Sequence, residues 1–283
     1  GMEYEERKPK LFQTLVSPSN ETLLERIGRA YDASINRRRI REQNLIRNFQ
    51  GAARLYHKAQ ELYISHFEFV FSVHHITIDE TRRLFSSSFP SLADLSASDQ
   101  REMYRWYFPI FVAADACYRT QLVWGDLSSY AMSTILMCVD LVNPESWITP
   151  SQADHNRSTI LDSVRNYQQG LVALLLPSFQ RIQLKEREMH TLLALALTEC
   201  DPKSEVSLRV QNMLDSIRTD ALRELRRFYN EEGISDHSTR LGNLMTLCHT
   251  IREGQVLFQE FFRMQITMFD LHSTQTLLQE MFL

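Results

Sequence analysis

Apolar residues recur every three or four positions along most of this chain, which is the period of helices that bury one face. Between Asn20 and Phe49 they form one stripe, and Asn20 is placed to act as its N-cap. The same spacing predicts helices over 52–72, 151–181, 185–199, 203–231 and 237–270, with a short one at the end of the chain. Only 8 Gly and 8 Pro interrupt the 283 residues. The sequence therefore predicts one layered all-α domain over 20–283, preceded by a tail or hinge over 1–19.

Local signals predict the bounds of the middle helices. Thr77-Ile78-Asp79-Glu80 has the spacing of a capping box, which predicts a helix that begins there and ends before Pro90. Ser98-Asp99-Gln100 predicts the start of the next helix, which Pro109 is expected to kink. The segment Gln121–Leu127 contains a Gly-Asp turn, and it is where at most a short β-hairpin is predicted.

Charge and composition narrow the class of protein. The formal net charge is −4, whereas a domain that reads duplex DNA is usually basic. The run Arg37, Arg38, Arg39 and Arg41 therefore favours a solvated helix face over a nucleic-acid site. The four cysteines form no CxxC pair, so neither a zinc site nor any other metal or cofactor is predicted. An uninterrupted apolar run of the ~18 residues that a membrane span needs is also missing.

Common catalytic motifs are missing from the sequence. The sequence has no G-x-S-x-G, no phosphate-binding loop and no H-E-x-x-H. His74 and His75 are neighbours and face different sides of a helix, so they do not predict a shared metal. We expect a protein that is not an enzyme, although a helical enzyme acting on small apolar substrates stays an alternative.

Four segments carry a resemblance to a known family. The stretch from Phe85 to Gln100, with its Phe-Pro, Leu95 and Asp-Gln, resembles the region joining helices three and four of nuclear hormone receptor ligand-binding domains. Leu184–Leu197, Arg240–Arg252 and Leu277–Phe282 are similar to helix eight, helix ten and the activation helix, in family order. Phe89-Pro90 and Tyr118-Arg119-Thr120 look most like the expanded nematode group of these receptors.

The resemblance implies a fold and a function. The fold is an antiparallel helical sandwich, and the function is that of a ligand-regulated transcription module in the nucleus. It also implies a zinc-containing DNA-binding domain elsewhere in the full-length receptor. This domain itself is expected to contact neither nucleic acid nor a membrane.

A ligand site follows from the same correspondence. Arg119 matches the helix-five arginine that meets the polar end of the ligand in receptors for steroids and retinoids. A small lipophilic ligand, such as a fatty acid or a sterol-like molecule, is therefore expected beside it. In the alternative interpretation, Asp115 or a backbone carbonyl satisfies this arginine. The other implied pocket residues are Phe71, His75, Ile78, Val112, Ala113 and Ala116.

The resemblance also implies a groove for an LxxLL-type coregulator helix. Its members at the C-terminal end are Leu277, Leu278, Glu280 and Met281, and Glu280 would cap the backbone amides of the bound helix. The family's capping lysine is replaced by Ser87, so we expect Arg83 or Arg105 to substitute. Gln100 lies at the same groove, where Arg101 replaces an apolar residue. Alternatively, the terminal helix is a permanent part of the core.

Two further expectations concern structure and assembly. Glu188 and Arg240 match an interhelical ion pair of the family. Residues 237–262 are implied to form a homodimer or heterodimer surface, with Leu241, Leu244, Cys248 and Ile251 on one stripe, although this stripe can equally face the core. Within this fold, the alternative function is an orphan receptor with a filled pocket that acts as a constitutive coregulator or dimerisation scaffold.

Overall fold

The computed structural model describes residues 20–49, 53–65, 67–125, 129–147, 157–199 and 208–268. Its helices are α1 Leu23–Arg47, α2 Phe67–Ser88, α3 Ala97–Trp124, α4 Arg157–Tyr167, α5 Ala173–Ile182, α6 Glu186–Thr198, α7 Leu208–Glu231 and α8 His237–Met268. A π-helical turn, Gln168–Val172, links α4 to α5. Short 3-10 turns occupy Pro90–Asp94 and Pro144–Trp147.

The helices pack in layers around α3 and α6. On one side α1 packs on α2 and α6, and on the other side α8 packs on α3, α4 and α5. α6 contacts α1, α3, α7 and α8, and every residue from Glu188 to Leu197 is buried. A helix surrounded in this way belongs to the middle of a layered domain. The predicted layered helical fold is confirmed.

The start of α1 is capped twice. Thr22 is the N-cap and forms a capping box with Glu25, so the cap lies two residues after the predicted Asn20. Glu224 of α7 also accepts hydrogen bonds from the backbone amides of Leu23 at 2.9 Å and Leu24 at 2.7 Å. These partners satisfy amides that have no acceptor within a helix. The first turn of α1 is therefore tied to α7.

A four-stranded sheet occupies two places where the sequence predicted otherwise. The strands are β1 Arg54–His57, β2 Gln60–Ile64, β3 Tyr130–Met132 and β4 Met137–Asp140. Two antiparallel hairpins join through parallel pairing of β2 with β4, giving the order β1-β2-β4-β3. The helix predicted over 52–72 is wrong over its first part, and the sheet is larger than the single hairpin expected. The hairpin predicted over Gln121–Leu127 is also wrong, because α3 continues to Trp124.

The turn of the first hairpin explains why the sequence did not reveal it. Lys58 and Ala59 both have positive φ, 47° and 60°, a conformation that two-residue hairpins normally assign to Asn or Gly. The pairing of Tyr63 with Met137 joins distant parts of the chain. Local sequence signals cannot report such a pairing.

The capping-box interpretation of Thr77–Glu80 is wrong, because α2 begins ten residues earlier at Phe67. The Thr77 hydroxyl lies within the helix and donates to the carbonyl of Val73 at 3.3 Å. The prediction that this helix ends before Pro90 is confirmed, since α2 ends at Ser88. α3 begins at Ala97 with Ser96 as its N-cap, close to the predicted start, and continues through Pro109.

Gly28 allows α1 to approach α6 closely. A Cβ atom at this position would lie 2.7 Å from Cε1 of His190. The His190 ring is buried, with its edge against Tyr31 at a centroid distance of 6.2 Å. Burial, followed by the charge of Arg187, lowers the pKa of His190 to about 4. The imidazole is therefore an uncharged packing element at neutral pH.

We expect Gly28→Ala to lower the free energy of unfolding by about 1–3 kcal/mol, since the added methyl group overpacks the α1–α6 contact. Gly242→Ala is the matched control, because it lies on an exposed part of α8 where an added Cβ would have no heavy atom within 4 Å. The control should gain roughly 0.5–1 kcal/mol from helix propensity alone. Urea denaturation at pH 7 measures both, and an equal gain for the two variants would contradict this packing.

Candidate ligand and coregulator sites

A buried ion pair joins α1 to α3. Nη1 of Arg38 lies 2.8 Å from Oδ2 of Asp115, and both side chains are at most 3% exposed. The Tyr31 hydroxyl donates to Oδ1 of Asp115 at 2.6 Å. Burial acts to raise the pKa of Asp115, but the charges of Arg38 and Arg119 and the two hydrogen bonds outweigh it and lower that pKa. Asp115 is therefore a carboxylate at neutral pH.

Arg119 shares this carboxylate without a hydrogen bond to it. Its Nε lies 3.5 Å from Oδ1 of Asp115, and the residue is only 7% exposed. Among the residues that the structure describes, it donates no hydrogen bond. Asp115 does serve as its counter-charge, as one of the two interpretations expected, but Tyr31 and Arg38 hold the shorter contacts. The guanidinium keeps N–H donors for a further acceptor.

Glu42 extends the same group of charges toward the sheet. It lies one helical turn after Arg38, and its carboxylate accepts hydrogen bonds from the Thr134 hydroxyl and the Leu136 amide, both at 2.9 Å. Burial raises the pKa of Glu42, although Arg38 and these hydrogen bonds oppose the shift. We call Tyr31, Arg38, Glu42, Asp115 and Arg119 the buried polar cluster. It ties α1, α3 and the β3–β4 turn together.

The basic run of α1 docks this helix rather than facing solvent. Arg37 contacts Glu80 of α2 at 2.6 Å, and Arg41 contacts both Glu80 at 3.1 Å and Asp79 at 2.9 Å. Arg38 is buried against α3, and Arg39 is exposed. The interpretation as a solvated face is therefore wrong for three of the four arginines, because each finds a carboxylate on another helix.

The other predicted pocket residues lie on α2 and α3. Ile78, Val112 and Ala113 are buried in one apolar cluster, while His75 and Ala116 are half-buried. The side chain of Phe71 lies outside the part of the chain that the structure describes. Val112 and Arg119 are seven residues apart and thus share a face of α3. The structure brings an apolar wall and a buried cation to the same side of this helix.

An aromatic pair from the opposite layer was not foreseen. Tyr167 at the end of α4 stacks on Phe261 of α8, with ring centroids 4.0 Å apart. Burial, and next the charge of Cys117, raises the pKa of Tyr167. Phe261 belongs to the apolar cluster that includes Cys117 and its neighbours on α3, and Tyr167 packs against that cluster. Cys117 is itself buried, and burial followed by the charge of Asp115 raises its pKa to about 12. Helical spacing was the only sequence signal for Tyr167 and Phe261. It cannot distinguish core residues from pocket residues, because both lie on the apolar face of a helix.

Gln100 fixes the connection between α2 and α3. Its side-chain amide is buried and donates to the carbonyls of Leu95 at 2.9 Å and Ala93 at 3.3 Å. These bonds satisfy backbone groups of a turn that has no sheet or helix partner for them. Gln100 therefore holds the backbone at this edge of the predicted groove, and its own side chain is not exposed on the groove surface.

Three arginines are exposed on this face. Arg83, Arg101 and Arg105 are exposed, and Ser87 is half-buried. Nη1 of Arg83 lies 3.7 Å from Oε1 of Glu80. The remaining predicted groove residues lie outside the described residues: Leu277, Leu278, Glu280 and Met281.

The structure brings Glu188 of α6 together with Arg240 of α8. Arg240 donates two hydrogen bonds to the Glu188 carboxylate, which also accepts from the Tyr229 hydroxyl and the Lys185 amide, each at 2.8 Å. Burial raises the pKa of Glu188, but the bond from Arg240 and the other donors outweigh it and lower that pKa. The group links α6, α7 and α8.

The predicted dimer stripe of α8 packs largely into the core. Leu244, Cys248 and Ile251 are buried within the chain, and Leu241 is half-buried. On another side of the helix, Val256 is 58% and Leu257 is 38% exposed. The stripe thus has the inward orientation that was the alternative interpretation, and a partner would meet the outer face.

Comparison with known families identifies the class of protein. The family model described as the ligand-binding domain of nuclear hormone receptor matches residues 57–265. The chain therefore belongs to the family of nuclear hormone receptor ligand-binding domains. These domains are generally non-enzymatic parts of ligand-regulated transcription factors of the nucleus. A search of curated proteins found no match. None of the described helices is both long and apolar enough to cross a membrane.

We expect Asp115→Asn to lower the free energy of unfolding by about 3–5 kcal/mol, because Arg38 and Arg119 then remain buried without their counter-charge. Asp220→Asn is the control, since its 2.9 Å pair with Arg223 is exposed. That change should cost at most about 1 kcal/mol. Urea titration at pH 7 followed by circular dichroism compares the two, and losses of similar size would argue against the cluster as a main support of the fold.

Proposed function

We propose that this domain binds a small lipophilic ligand whose carboxylate or keto oxygen accepts hydrogen bonds from Arg119. The observation that carries this proposal is the burial of Arg119 beside a carboxylate whose short contacts belong to Tyr31 and Arg38. A buried guanidinium with unused donors is costly unless an acceptor reaches it. A ligand oxygen would supply that acceptor through a charge-assisted hydrogen bond.

The neighbouring side chains suit an apolar ligand body. Val112 and Ala113 are apolar and lie within two turns of Arg119 on α3, and Ile78 faces the same cluster from α2. Alanine side chains at 113 and 116 take little volume. A fatty acid or a sterol-like molecule combines a single polar end with such an apolar body.

Native mass spectrometry of the purified domain tests this proposal. We expect a co-purified acidic lipid on the wild-type domain, and we expect Arg119→Ala to lose it because the polar end loses its partner. Arg39→Ala is the control, since Arg39 is exposed on α1, and it should retain the lipid. Retention by Arg119→Ala of the same number of lipid molecules as the wild-type domain carries would rule out this role.

The stacked pair of Tyr167 and Phe261 favours the alternative function. These rings fill space between α4 and α8 within the same apolar cluster as Cys117, Val112 and Ala113. In this alternative, side chains fill the pocket and the domain is a constitutive scaffold for coregulators. A wild-type domain that carries no lipid in native mass spectra, with folding unchanged, would favour it.

We also propose that residues 277–282 form an activation helix that packs over the face of Arg83, Ser87 and Arg105. In a helix the four apolar residues of this segment would form one stripe, whose docking would be worth only a few kcal/mol. Ligand binding can shift such an equilibrium. Glu280 would cap the amino end of an LxxLL helix, and the exposed Arg83 or Arg105 would take the place of the missing lysine at the other end.

Glu280→Lys should abolish binding of a fluorescent LxxLL peptide, because a cation then faces the positive end of the peptide helix. Fluorescence anisotropy measures the affinity. Glu231→Lys makes the same charge change at an exposed position at the end of α7 and should bind normally. Unchanged peptide binding by Glu280→Lys would count against the groove.

Dimerisation, which is general in this family, is proposed to use residues 237–262. The outer face of α8 supports this choice through the exposed Val256 and Leu257. The partner can be a second copy or another receptor. The same native mass spectra report the number of subunits.

A further inference from the structure

A groove separates α7 from α8 near the turn that joins them. Its cavity volume is about 560 Å³, within the range of small-molecule sites. The apolar part of its wall consists of Leu222, Leu225, Tyr229 and Leu241. None of these residues belongs to the buried polar cluster, and none was predicted to line the pocket beside Arg119. The groove is therefore separate from that pocket, and its Leu241 side lies at the start of the residues proposed for dimerisation.

The polar part of the wall is basic. Among the residues that the structure describes, the other lining residues are Arg223, Arg226, His237 and Ser238, and none of the lining side chains is acidic. Arg223 is paired with Asp220. Arg226 is exposed and forms no ion pair or hydrogen bond with any residue in the described part of the chain.

The carboxylate that is hydrogen-bonded to the wall residue Tyr229 is already paired. Tyr229, whose ring forms part of the wall, donates its hydroxyl proton to Glu188, and Glu188 is paired with Arg240. The ring of His237 lies against the ring of Tyr229, with centroids 5.2 Å apart. The groove thus offers leucine and aromatic carbon next to the Arg226 cation, which has no ion-pair partner among the described residues. Charge complementarity favours an anionic occupant.

We propose that the α7–α8 groove is a second ligand site, which binds a single-chain amphiphile with a carboxylate head. The acyl chain packs on Leu222, Leu241 and the Tyr229 ring, and the carboxylate accepts hydrogen bonds from Arg226. Guanidinium groups match carboxylates because they can donate two parallel hydrogen bonds. This site does not depend on the ligand proposed for Arg119.

Photo-crosslinking with a diazirine-bearing dodecanoate tests the proposal on the intact domain. We expect saturable labelling of peptides from residues 222–241, and much weaker labelling by the matching uncharged dodecanol probe. Arg226→Glu should weaken the affinity by about fivefold or more, because it reverses the cation at the head group. Arg227→Glu is the matched control, since Arg227 is the adjacent exposed arginine and does not line the groove.

A second pair of variants adds side-chain volume without changing charge, inside the groove in one variant and outside it in the other. Ser238→Trp places a large ring at a lining position and should abolish labelling of 222–241. Thr239→Trp adds the same ring at an exposed position outside the lining and should leave labelling intact. All four substituted side chains are exposed, so folding should be preserved, and circular dichroism checks it.

Arg119→Ala separates this site from the proposed function. Labelling at 222–241 should survive that change even if lipid bound elsewhere is lost. The proposal is overturned if peptides from 222–241 are not saturably labelled, including when a second copy of the chain covers the groove. Equal labelling by the uncharged probe, or equal losses in Arg226→Glu and Arg227→Glu, would overturn it as well.

Discussion

The carboxylate of Asp115 is the point on which the arrangement of this domain depends. It lies in the middle of α3 and is reached by Tyr31 and Arg38 from α1 and by Arg119 from its own helix. Charges this deeply buried are stable only with partners at hydrogen-bonding distance. The relative position of α1 and α3 is therefore fixed by electrostatics as well as by apolar packing. The same carboxylate leaves Arg119 incompletely satisfied, so structural support and the proposed ligand site share one group.

Helical spacing predicted most of the fold, because that spacing is a local property of the sequence. It could not tell which arginine of the α1 run is buried, since the partner of Arg38 lies 77 residues away. The segment Thr77–Glu80 has the sequence of a helix start for a related reason. Its Asp79 and Glu80 side chains form ion pairs with Arg41 and Arg37 of α1 instead of capping a helix. The sequence did not predict the strands β1 to β4. The pairing of β2 with β4 is non-local, and the turn of the first hairpin lacks the glycine or asparagine that usually marks such a turn.

For the candidate sites, too, the sequence indicates residues within one segment but not the contacts between distant segments. The family resemblance pointed to Arg119, Arg83 and Gln100, since its pattern is carried by neighbouring residues. It could not reveal that the Gln100 side chain binds the carbonyl of Leu95 and so acts from below the surface. Tyr167 and Phe261 come from different helices and meet only in three dimensions. The groove beside Arg226 is likewise lined by residues of two helices, α7 and α8.

The carboxylate of Glu42 has a consequence for the order in which the domain assembles. It satisfies backbone amides of the β3–β4 turn at a sequence separation of up to 94 residues. Contacts between residues so far apart in sequence close a long loop of chain. They form slowly, because the loss of chain entropy precedes the free energy gained from the contact. Until α1 has docked, the amides of Ile135 and Leu136 can be satisfied only by water. We therefore expect the second hairpin to be the late-forming part of the fold, which completes around a helix that begins more than a hundred residues earlier.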